Sequence, residues 1–410
     1  MLARDGYTEQ QVRDALHGRS GAREIKFRYD VVRGGAVTRS VAAEGQVALD
    51  TANPIQRTAK FTLYAELDWL KDQIKPVLLL RMEDDESGGA VFIMPWDTFE
   101  ALSLSWDAWD ALGVTWDDID NGYYTTGERT ERWIDFPLGV FIPSTPTRNS
   151  EGSATSWDVE AYDRTVILRE DCLTGNQFFA AGTPYLSAVS TLLQSAGISN
   201  FLGDSSSAEL PADREFEFGE SKLDIINTLL SEIGFNPIFC DADGNFVLEQ
   251  YIEPTAAEPD YSYAADDLSV IARDTSSEMD TYNIPNVFVA VCSNPDLDED
   301  YRSVWVNGNP ASRLSTMQRG RSIVSEIYMP DAIASQEALD TYIERIGREA
   351  TLRGYEVVTF STALMPIHGS GDILNITHPD VAGTFAETSW SMELSADAEM
   401  THTARRVMML

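Results

Sequence analysis

Cysteine, histidine and lysine are scarce in this chain, and each shortage argues against a class of protein. Cys172, Cys240 and Cys292 are widely spaced, so neither a disulfide framework nor a cysteine-based zinc site is indicated. The four histidines, His17, His368, His378 and His402, are also scattered, and the closest pair has no cysteine nearby. We therefore expect packing or surface histidines and no bound metal.

Basic residues are few beside acidic ones, 30 against 66, which gives a net charge of -36. Such a surface repels phosphate, so sequence-specific nucleic-acid binding is excluded. No apolar run approaches the roughly 18 residues of a membrane span. The opening MLARDGYTEQQ has no apolar stretch of signal-peptide length. We expect a soluble protein made in a cytoplasm.

Signatures of catalysis are also missing. The chain has no Gly-rich phosphate loop, no His-Glu-x-x-His and no Gly-x-Ser-x-Gly. DADGN at 241–245 alternates oxygen ligands as a calcium loop does, but its glycine stands fourth instead of sixth, and Ile252 replaces the last glutamate. We interpret it as a hairpin with a tight primed turn at Asp243-Gly244. No catalytic residue and no cofactor are expected.

Alternating apolar and polar residues predict half-buried strands near both ends of the chain. EIKFRYDVV, TAKFTLYAE, WIDFPLGVFIP and SWDVEAYDRTVIL indicate a β-domain over 21–168, after a helical lead at 1–20. NVFVAVC, RSVWVNG, RSIVSEIYM, GDILNITHP, TSWSMEL and ARRVMML indicate a second β-domain over 271–410. One long helix is predicted inside that second domain, from a cap at Ser335 to Leu352.

The middle region, 169–270, has a different pattern and is predicted to be a smaller α+β domain. Thr183 and Pro184 are typical of a helix start, with Thr183 as the capping hydroxyl and the proline in the first turn, and Gly197 is typical of its end. A second helix is predicted from a cap at Ser221 to Gly234. The fold class expected from the sequence is therefore mainly β with α+β parts.

A ten-residue repeat falls inside the first β-domain, as an insertion at about 84–130. Trp96, Trp106 and Trp116 each precede an Asp, and Trp109 takes the fourth place of the second unit. The i, i+3 spacing favours short helical turns that pack an apolar ridge onto another surface. Exposed tryptophan can also stack on sugars or anchor a partner, so these four residues are candidate protein-interface residues.

The order of these elements resembles the baseplate or tail-tip hub proteins of tailed phages, a family shared with contractile injection systems. The resemblance rests on ERWIDFPLGVFIPSTPT, SWDVEAYDRTVILRED, FFAAGTPYLSAVSTLLQSAGI and FEFGESKLDIINTLLSEIGFNPIFCDADGNFVLEQY. YNIPNVFVAVC and YIERIGREATLRGYEVVTFST, followed by GDILNITHP, continue it. It spans most of residues 21–410.

The resemblance implies two tail-tube-like β-barrel domains that flank the α+β domain, and a homotrimer whose six barrels match a hexameric tube. It implies a structural virion protein, not an enzyme, that joins the tail tube to the tip or baseplate and gates DNA passage. The implied partners are distal tail or tube proteins, the tape-measure protein and tip or fibre proteins. The ending ARRVMML favours a hub without an enzymatic extension.

Two other classes of protein remain open at this point. A secreted carbohydrate-binding or glycan-degrading β-domain protein would use the Trp repeat as a sugar platform, although the missing signal peptide counts against secretion. A component of a non-phage injection machine would share the fold. Polysaccharide binding would favour the first of these, and the neighbouring genes would distinguish the second.

Overall fold

The computed structural model describes residues 3–82, 91–93, 123–125, 132–151, 154–254, 258–266, 270–278, 284–293, 300–330, 333, 335–353 and 356–407. Over these residues the chain is mainly β, as predicted. The helices are α1 (Glu9–Leu16), α2 (Val166–Glu170), α3 (Tyr185–Ser195), α4 (Lys222–Glu232), α5 (Thr316–Arg319) and α6 (Gln336–Arg353). Across the described part of the chain, no helix is long and apolar enough to cross a membrane.

The strands are β1 (Ile25–Arg33), β2 (Ala36–Val41), β3 (Ala43–Asp50), β4 (Arg57–Leu63), β5 (Gln73–Met82), β6 (Val91–Ile93), β7 (Tyr123–Thr125), β8 (Arg132–Pro137), β9 (Phe141–Glu151), β10 (Ala154–Asp163), β11 (Gln177–Phe179), β12 (Phe201–Gly203), β13 (Arg214–Phe216), β14 (Phe239–Cys240), β15 (Phe246–Leu248), β16 (Tyr261–Ala264), β17 (Ile271–Glu278), β18 (Val287–Cys292), β19 (Tyr301–Val306), β20 (Val324–Tyr328), β21 (Val357–Ala363), β22 (Ile373–Thr377), β23 (Ala382–Glu393) and β24 (Glu399–Arg406).

The chain divides into two compact units, of which the smaller comprises Met1–Lys26 and Leu78–Phe136. Its helix α1 lies within the helical lead predicted at 1–20. The backbone N–H of Gln11 donates to the hydroxyl of Thr8, and the Gln11 side chain accepts from the Thr8 N–H, so both ends of a capping box are present. Strands β6 and β7 of this unit form an antiparallel ribbon.

The larger unit comprises Phe27–Val77 and Pro137–Leu410. Its main sheet has the strand order β17-β21-β24-β23-β3-β4-β10-β9-β5-β1-β2. β23 pairs antiparallel with β3, placing Trp390 opposite Leu49, so strands from both ends of the sequence share one sheet. Among the described residues these pairings form an open path without closing into a barrel, and the double-barrel layout stays a prediction.

The core of the middle region is drawn from residues 168–248, with the two predicted helices at its centre. α4 begins where expected, because the Ser221 hydroxyl accepts from the N–H of Asp224. α3 begins one residue later than a Thr183 cap requires, since Pro184 is the N-cap and no side chain caps the helix. The prediction that Thr183 caps α3 was therefore wrong.

Two other local predictions were wrong. TVIL of SWDVEAYDRTVIL was expected to continue a strand, but β10 ends at Asp163, whose carboxylate accepts from the N–H and the hydroxyl of Thr165 and turns the chain into α2. The hairpin between β14 and β15 exists, but its turn is not primed, because only Gly244 has a positive φ. The Gly244 N–H donates to the carbonyl oxygen of Asp241, and the Asp241 side chain accepts two more backbone N–H groups.

The long helix α6 packs on a three-stranded sheet of order β19-β18-β20. It begins at the predicted cap, where the Ser335 hydroxyl accepts from the N–H of Ala338 at 3.2 Å. Leu339 and Ile343 of the helix are buried against Phe288, Ala290 and Cys292 of β18. Buried residues alternate along β18, so the helix covers one face of this small sheet and leaves the other uncovered.

Candidate functional site

The uncovered face of the β18–β20 sheet carries a block of β-branched side chains, which we call the valine face. Val306, Val287 and Val324 form one row across the three strands, and Val304, Val289 and Ile327 form the next. Side chains at directly paired positions project from the same face of a sheet, so the two rows adjoin. Within the chain, the four residues on the outer strands are exposed by 47 to 59%.

Packing on the opposite face of the same sheet holds the valine face in position. Trp305 lies against the apolar cluster beneath α6, with its ring centroid 5.8 Å from that of Phe288. The indole contacts α6 at Gly347, where any Cβ atom would collide with the Trp305 ring. Because helix and sheet are packed this closely, β19 presents Val304 and Val306 outward on a rigid support.

The valine face differs from the rest of this acidic chain in carrying mainly uncharged side chains. Arg302 continues the β19 row at one end and lies 3.9 Å from Asp300. Contiguous exposed aliphatic side chains on adjacent strands are typical of protein–protein contact surfaces, whereas single exposed apolar residues such as Leu70 are ordinary. The chemistry available here is apolar association with another protein surface.

The four tryptophans predicted as interface residues, Trp96, Trp106, Trp109 and Trp116, lie outside the described residues. Both sides of their segment are described, however. β6 and β7 pair antiparallel with Ile93 opposite Tyr123, so residues 94–122 leave and return at neighbouring points of one ribbon. The sequence pattern alone supports a role for these tryptophans in an interface.

A second feature is a buried cluster of His368, Glu387 and His402, to which we refer as the histidine cluster. The side chains of all three are fully buried. Nδ1 of His402 is 2.6 Å from Oε1 of Glu387, and Nδ1 of His368 is 2.8 Å from Oε2. On the far side of each ring, Nε2 of His368 contacts the hydroxyl of Tyr263 at 2.5 Å, and Nε2 of His402 contacts that of Thr362 at 2.8 Å.

Burial and charge act in opposite directions on this cluster. Burial lowers the pKa of His402 below its usual value, and Glu387 offsets only part of that effect. Burial also lowers the pKa of His368, but the carboxylates of Glu387, Asp372 and Asp260 outweigh it and leave this pKa raised. Burial raises the pKa of Glu387, yet the two imidazoles bring it down to about 2. Glu387 is therefore ionised in the core at neutral pH.

The spacing of the histidines along the chain does not predict this cluster, because His368, Glu387 and His402 are separated in sequence and meet only in the folded chain. Strands β23 and β24 bring Glu387 and His402 together, since Trp390 pairs with His402 and Glu387 with Ala404. The signal that could have found them is a strand pattern in which an ionisable residue takes an inward position, as His402 does between Met400 and Ala404. The last strand was predicted at ARRVMML, but β24 begins earlier and contains this histidine.

No model of a known protein family matches the chain, and no curated protein matches it. Solved structures do. A tail protein from Neisseria meningitidis aligns over 93% of this chain and 97% of its own, with 12% identity and a TM-score of 0.57. The 43 kDa tail protein of prophage MuSo2 from Shewanella oneidensis aligns over 92% and 98%, with 9% identity and a TM-score of 0.55.

A prophage tail protein from Listeria monocytogenes is also similar, over 92% of this chain and 94% of its own, with 10% identity and a TM-score of 0.50. At these identities the likeness establishes a shared fold. The chain therefore has the fold of phage tail proteins over nearly its whole length. The resemblance to tail-hub proteins inferred from the sequence is confirmed at the level of fold.

Proposed function

We propose that this chain is a structural virion protein, the trimeric hub at the distal end of a phage tail. The observation that carries the proposal is the fold shared with three tail proteins over more than nine tenths of their length. A likeness that covers both chains end to end favours the same kind of structural role over the reuse of one domain. The proposed hub is not an enzyme, and it joins the tail tube to the tip or baseplate.

In the proposed assembly each chain contributes two tube-like barrels, so that three chains present six barrels to a hexameric tube. The domains are those predicted from the sequence: a helical lead at 1–20, barrels at 21–168 and 271–410, and an α+β domain at 169–270. β3 and β4 of the first segment and β21 to β24 of the last lie in one sheet, so the two proposed barrels would adjoin where β23 pairs with β3.

The valine face is proposed as the contact between neighbouring copies of the chain. With a net charge of -36, copies repel one another across most surfaces, so a stable ring needs contacts with little charge. The two rows that include Val304 and Ile327 offer such a contact on a rigid sheet. Burial of their side chains would add stabilisation at about 25 cal/mol per Å² of apolar surface.

The acidic composition is proposed to serve DNA passage. Carboxylates that line the channel of a ring would repel phosphate and keep the exiting DNA from adhering. The proposed partners are distal tail or tube proteins, the tape-measure protein and tip or fibre proteins. We also propose that the Trp repeat, with Trp96, Trp106, Trp109 and Trp116, braces a neighbouring chain or docks a peripheral tip protein.

The contact between copies is tested by sedimentation of the purified chain over a wide concentration range. We expect a monomer–trimer equilibrium for the wild-type chain. A variant with both Val304→Asp and Ile327→Asp should stay monomeric, because buried carboxylates would face one another. Leu70→Asp is the matched control, since Leu70 is a single, fully exposed leucine in a turn.

Circular dichroism separates lost assembly from lost folding in these variants. A variant that keeps the wild-type spectrum and melting temperature but sediments as a monomer supports the valine face. A wild-type chain that remains monomeric at every concentration would contradict the self-association of this face. Trimers of unchanged stability in the double variant would also contradict it.

A further inference from the structure

Three potential metal ligands converge in the sheet that contains β21, β23 and β24. One nitrogen from each of His368 and His402 and one oxygen from Glu387 lie within 4.8 Å of one another, and all three residues are buried. Two imidazoles and a carboxylate are a donor set that Zn²⁺ and other divalent first-row metals accept. Convergence alone does not decide between a metal site and a hydrogen-bonded core cluster, so the protons must be assigned.

The hydroxyl of Thr362 restricts the proton on His402. This hydroxyl lies 2.7 Å from the carbonyl oxygen of Ala363, to which it can donate its one proton. In that arrangement its 2.8 Å contact with Nε2 of His402 requires a proton on that nitrogen. A neutral His402 in this tautomer presents the lone pair of Nδ1 to Oε1 of Glu387, 2.6 Å away. Two acceptors this close need a cation at that point, either a proton or a metal ion.

The other half of the cluster has the same deficit. Nδ1 of His368 and Oε2 of Glu387 are 2.8 Å apart, and within the described residues neither atom has a well-aligned hydrogen-bond partner. Both atoms are shielded from solvent, where an unsatisfied polar group is costly. The carboxylate of Asp372 is near as well, with Oδ2 at 3.7 Å from the same nitrogen.

We propose that His368, Glu387 and His402 bind one divalent transition-metal ion, for which Zn²⁺ is the preferred occupant, with Asp372 or water as fourth ligand. Both histidines would coordinate through Nδ1. The hydroxyls of Thr362 and Tyr263 at the Nε2 atoms would orient the rings, as outer partners of ligating histidines do. The carboxylates of Glu387 and Asp372 and one divalent ion also balance in charge.

The ion would act as a structural link. His368 lies in the connection after β21, Glu387 on β23 and His402 on β24, so coordination ties three successive parts of the sheet together. The three residues that define the site have fully buried side chains, which suits a structural ion more than a catalytic one with an open position. The proposal is independent of the proposed function, because a hub with or without the ion would have the same fold.

The test is metal binding during refolding, since a buried site is filled as the chain folds. The full chain is unfolded, treated with a chelator and refolded with Co²⁺ or Zn²⁺, and bound metal is measured by plasma mass spectrometry after desalting. We expect one equivalent per chain, visible d–d absorption for Co²⁺, and a higher melting temperature than that of metal-free protein. His402→Gln and Glu387→Gln should each lower the affinity at least tenfold.

His378→Ala is the matched control, because His378 is a buried histidine outside the cluster, and it should retain one equivalent. If the cluster variants do not fold, X-ray absorption of the zinc-loaded wild-type chain decides, with two imidazole nitrogens expected at about 2.0 Å. A wild-type chain that refolds without stoichiometric metal would overturn the proposal and assign the cation as a proton. Full binding by folded His402→Gln would overturn it too.

Discussion

The guanidinium Nε of Arg57 donates a hydrogen bond to the carbonyl oxygen of Cys240 at 3.3 Å, across 183 positions of the sequence. A second donor of the same side chain, Nη1, reaches the carbonyl oxygen of Leu138 at 3.3 Å. The carboxylate of Asp163 accepts from the backbone N–H of Arg57. This buried arginine therefore links β4 to the middle α+β region, and its charge interacts favourably with that of Asp163.

Replacing Arg57 with methionine should destabilise the chain by about 2–4 kcal/mol, because two buried carbonyls lose their donors and Asp163 loses its counter-charge. Urea unfolding of the purified chain measures the change. Lys60→Met is the control on the same strand, since Lys60 is exposed and its ion pair with Glu160 spans 3.9 Å. We expect a change below about 0.5 kcal/mol for the control. Equal effects of the two substitutions would contradict the structural role of Arg57.

Gly347→Ala should destabilise the chain although alanine favours a helix by about 1 kcal/mol. The added Cβ would collide with the Trp305 ring, and overpacking of this kind costs about 1–3 kcal/mol. Gly308→Ala is the matched control, because a Cβ there contacts nothing and its φ is not positive. Thermal unfolding should show a lower melting temperature for Gly347→Ala only. A stabilised Gly347→Ala chain would mean that α6 and β19 are packed less closely than described.

The ion pair of Arg33 and Asp72 predicts a pH-dependent contribution to stability. The hydrogen bond from Arg33 lowers the pKa of the Asp72 carboxyl below its ordinary value of 3.8. Because this pKa is lower in the folded chain, the ion pair stabilises the folded state at pH values above the ordinary pKa. The contribution is lost as the pH falls through the folded-state pKa. Arg33→Gln should therefore reduce the free energy of unfolding near neutral pH, and its deficit should shrink below about pH 4.

Lys71→Gln controls for the loss of one positive charge, since Lys71 is mostly exposed and lies 3.8 Å from Asp68. Urea unfolding from pH 7 down to the acid limit of stability compares the three chains. The control should follow the wild-type pH profile in parallel. A deficit of Arg33→Gln that stays constant down to the acid limit would show that the pair with Asp72 does not cause it.

Removing the Trp repeat should leave the rest of the chain folded. Ile93 and Tyr123 are paired across the β6–β7 ribbon, so an Asn-Gly turn can replace residues 94–122 between them. We expect the shortened chain to keep the strand signal of the full chain in its far-ultraviolet circular dichroism spectrum. Its melting transition should be as cooperative as that of the full chain. Loss of the cooperative transition would show that the repeat is part of a core and not an appendage.

Local features of the fold could be predicted from the sequence because their signals lie within one helix turn or one strand. The caps at Ser221 and Ser335 are examples, since each hydroxyl accepts from a backbone N–H three residues later. Thr183 failed because the following proline itself takes the N-cap position. The last strand was predicted too late in the sequence, because ARRVMML is more apolar than the EMTHTARR that forms β24.

Long-range pairings could not be predicted. β23 pairs with β3, with Trp390 opposite Leu49, and the sequence of neither strand indicates which strand is its partner. The histidine cluster depends on the register of β23 with β24 and on the connection that contains His368, so its three residues gave no joint signal. The valine face could not be predicted for a related reason. Buried and less buried residues alternate along β18 as in any half-buried strand, and the face that α6 covers depends on tertiary packing. The fold of phage tail proteins could be inferred because the resemblance to tail-hub proteins depends on the order of elements along the whole chain.

The measurement that tests the central claim most directly is cryo-electron microscopy of the assembled protein, purified at high concentration or in virions that contain it. We expect a threefold ring with two tube-like barrels per chain and the valine face, including Val304 and Ile327, buried against a neighbouring copy. A particle without threefold symmetry, in which this face remains open to solvent, would contradict the proposed hub.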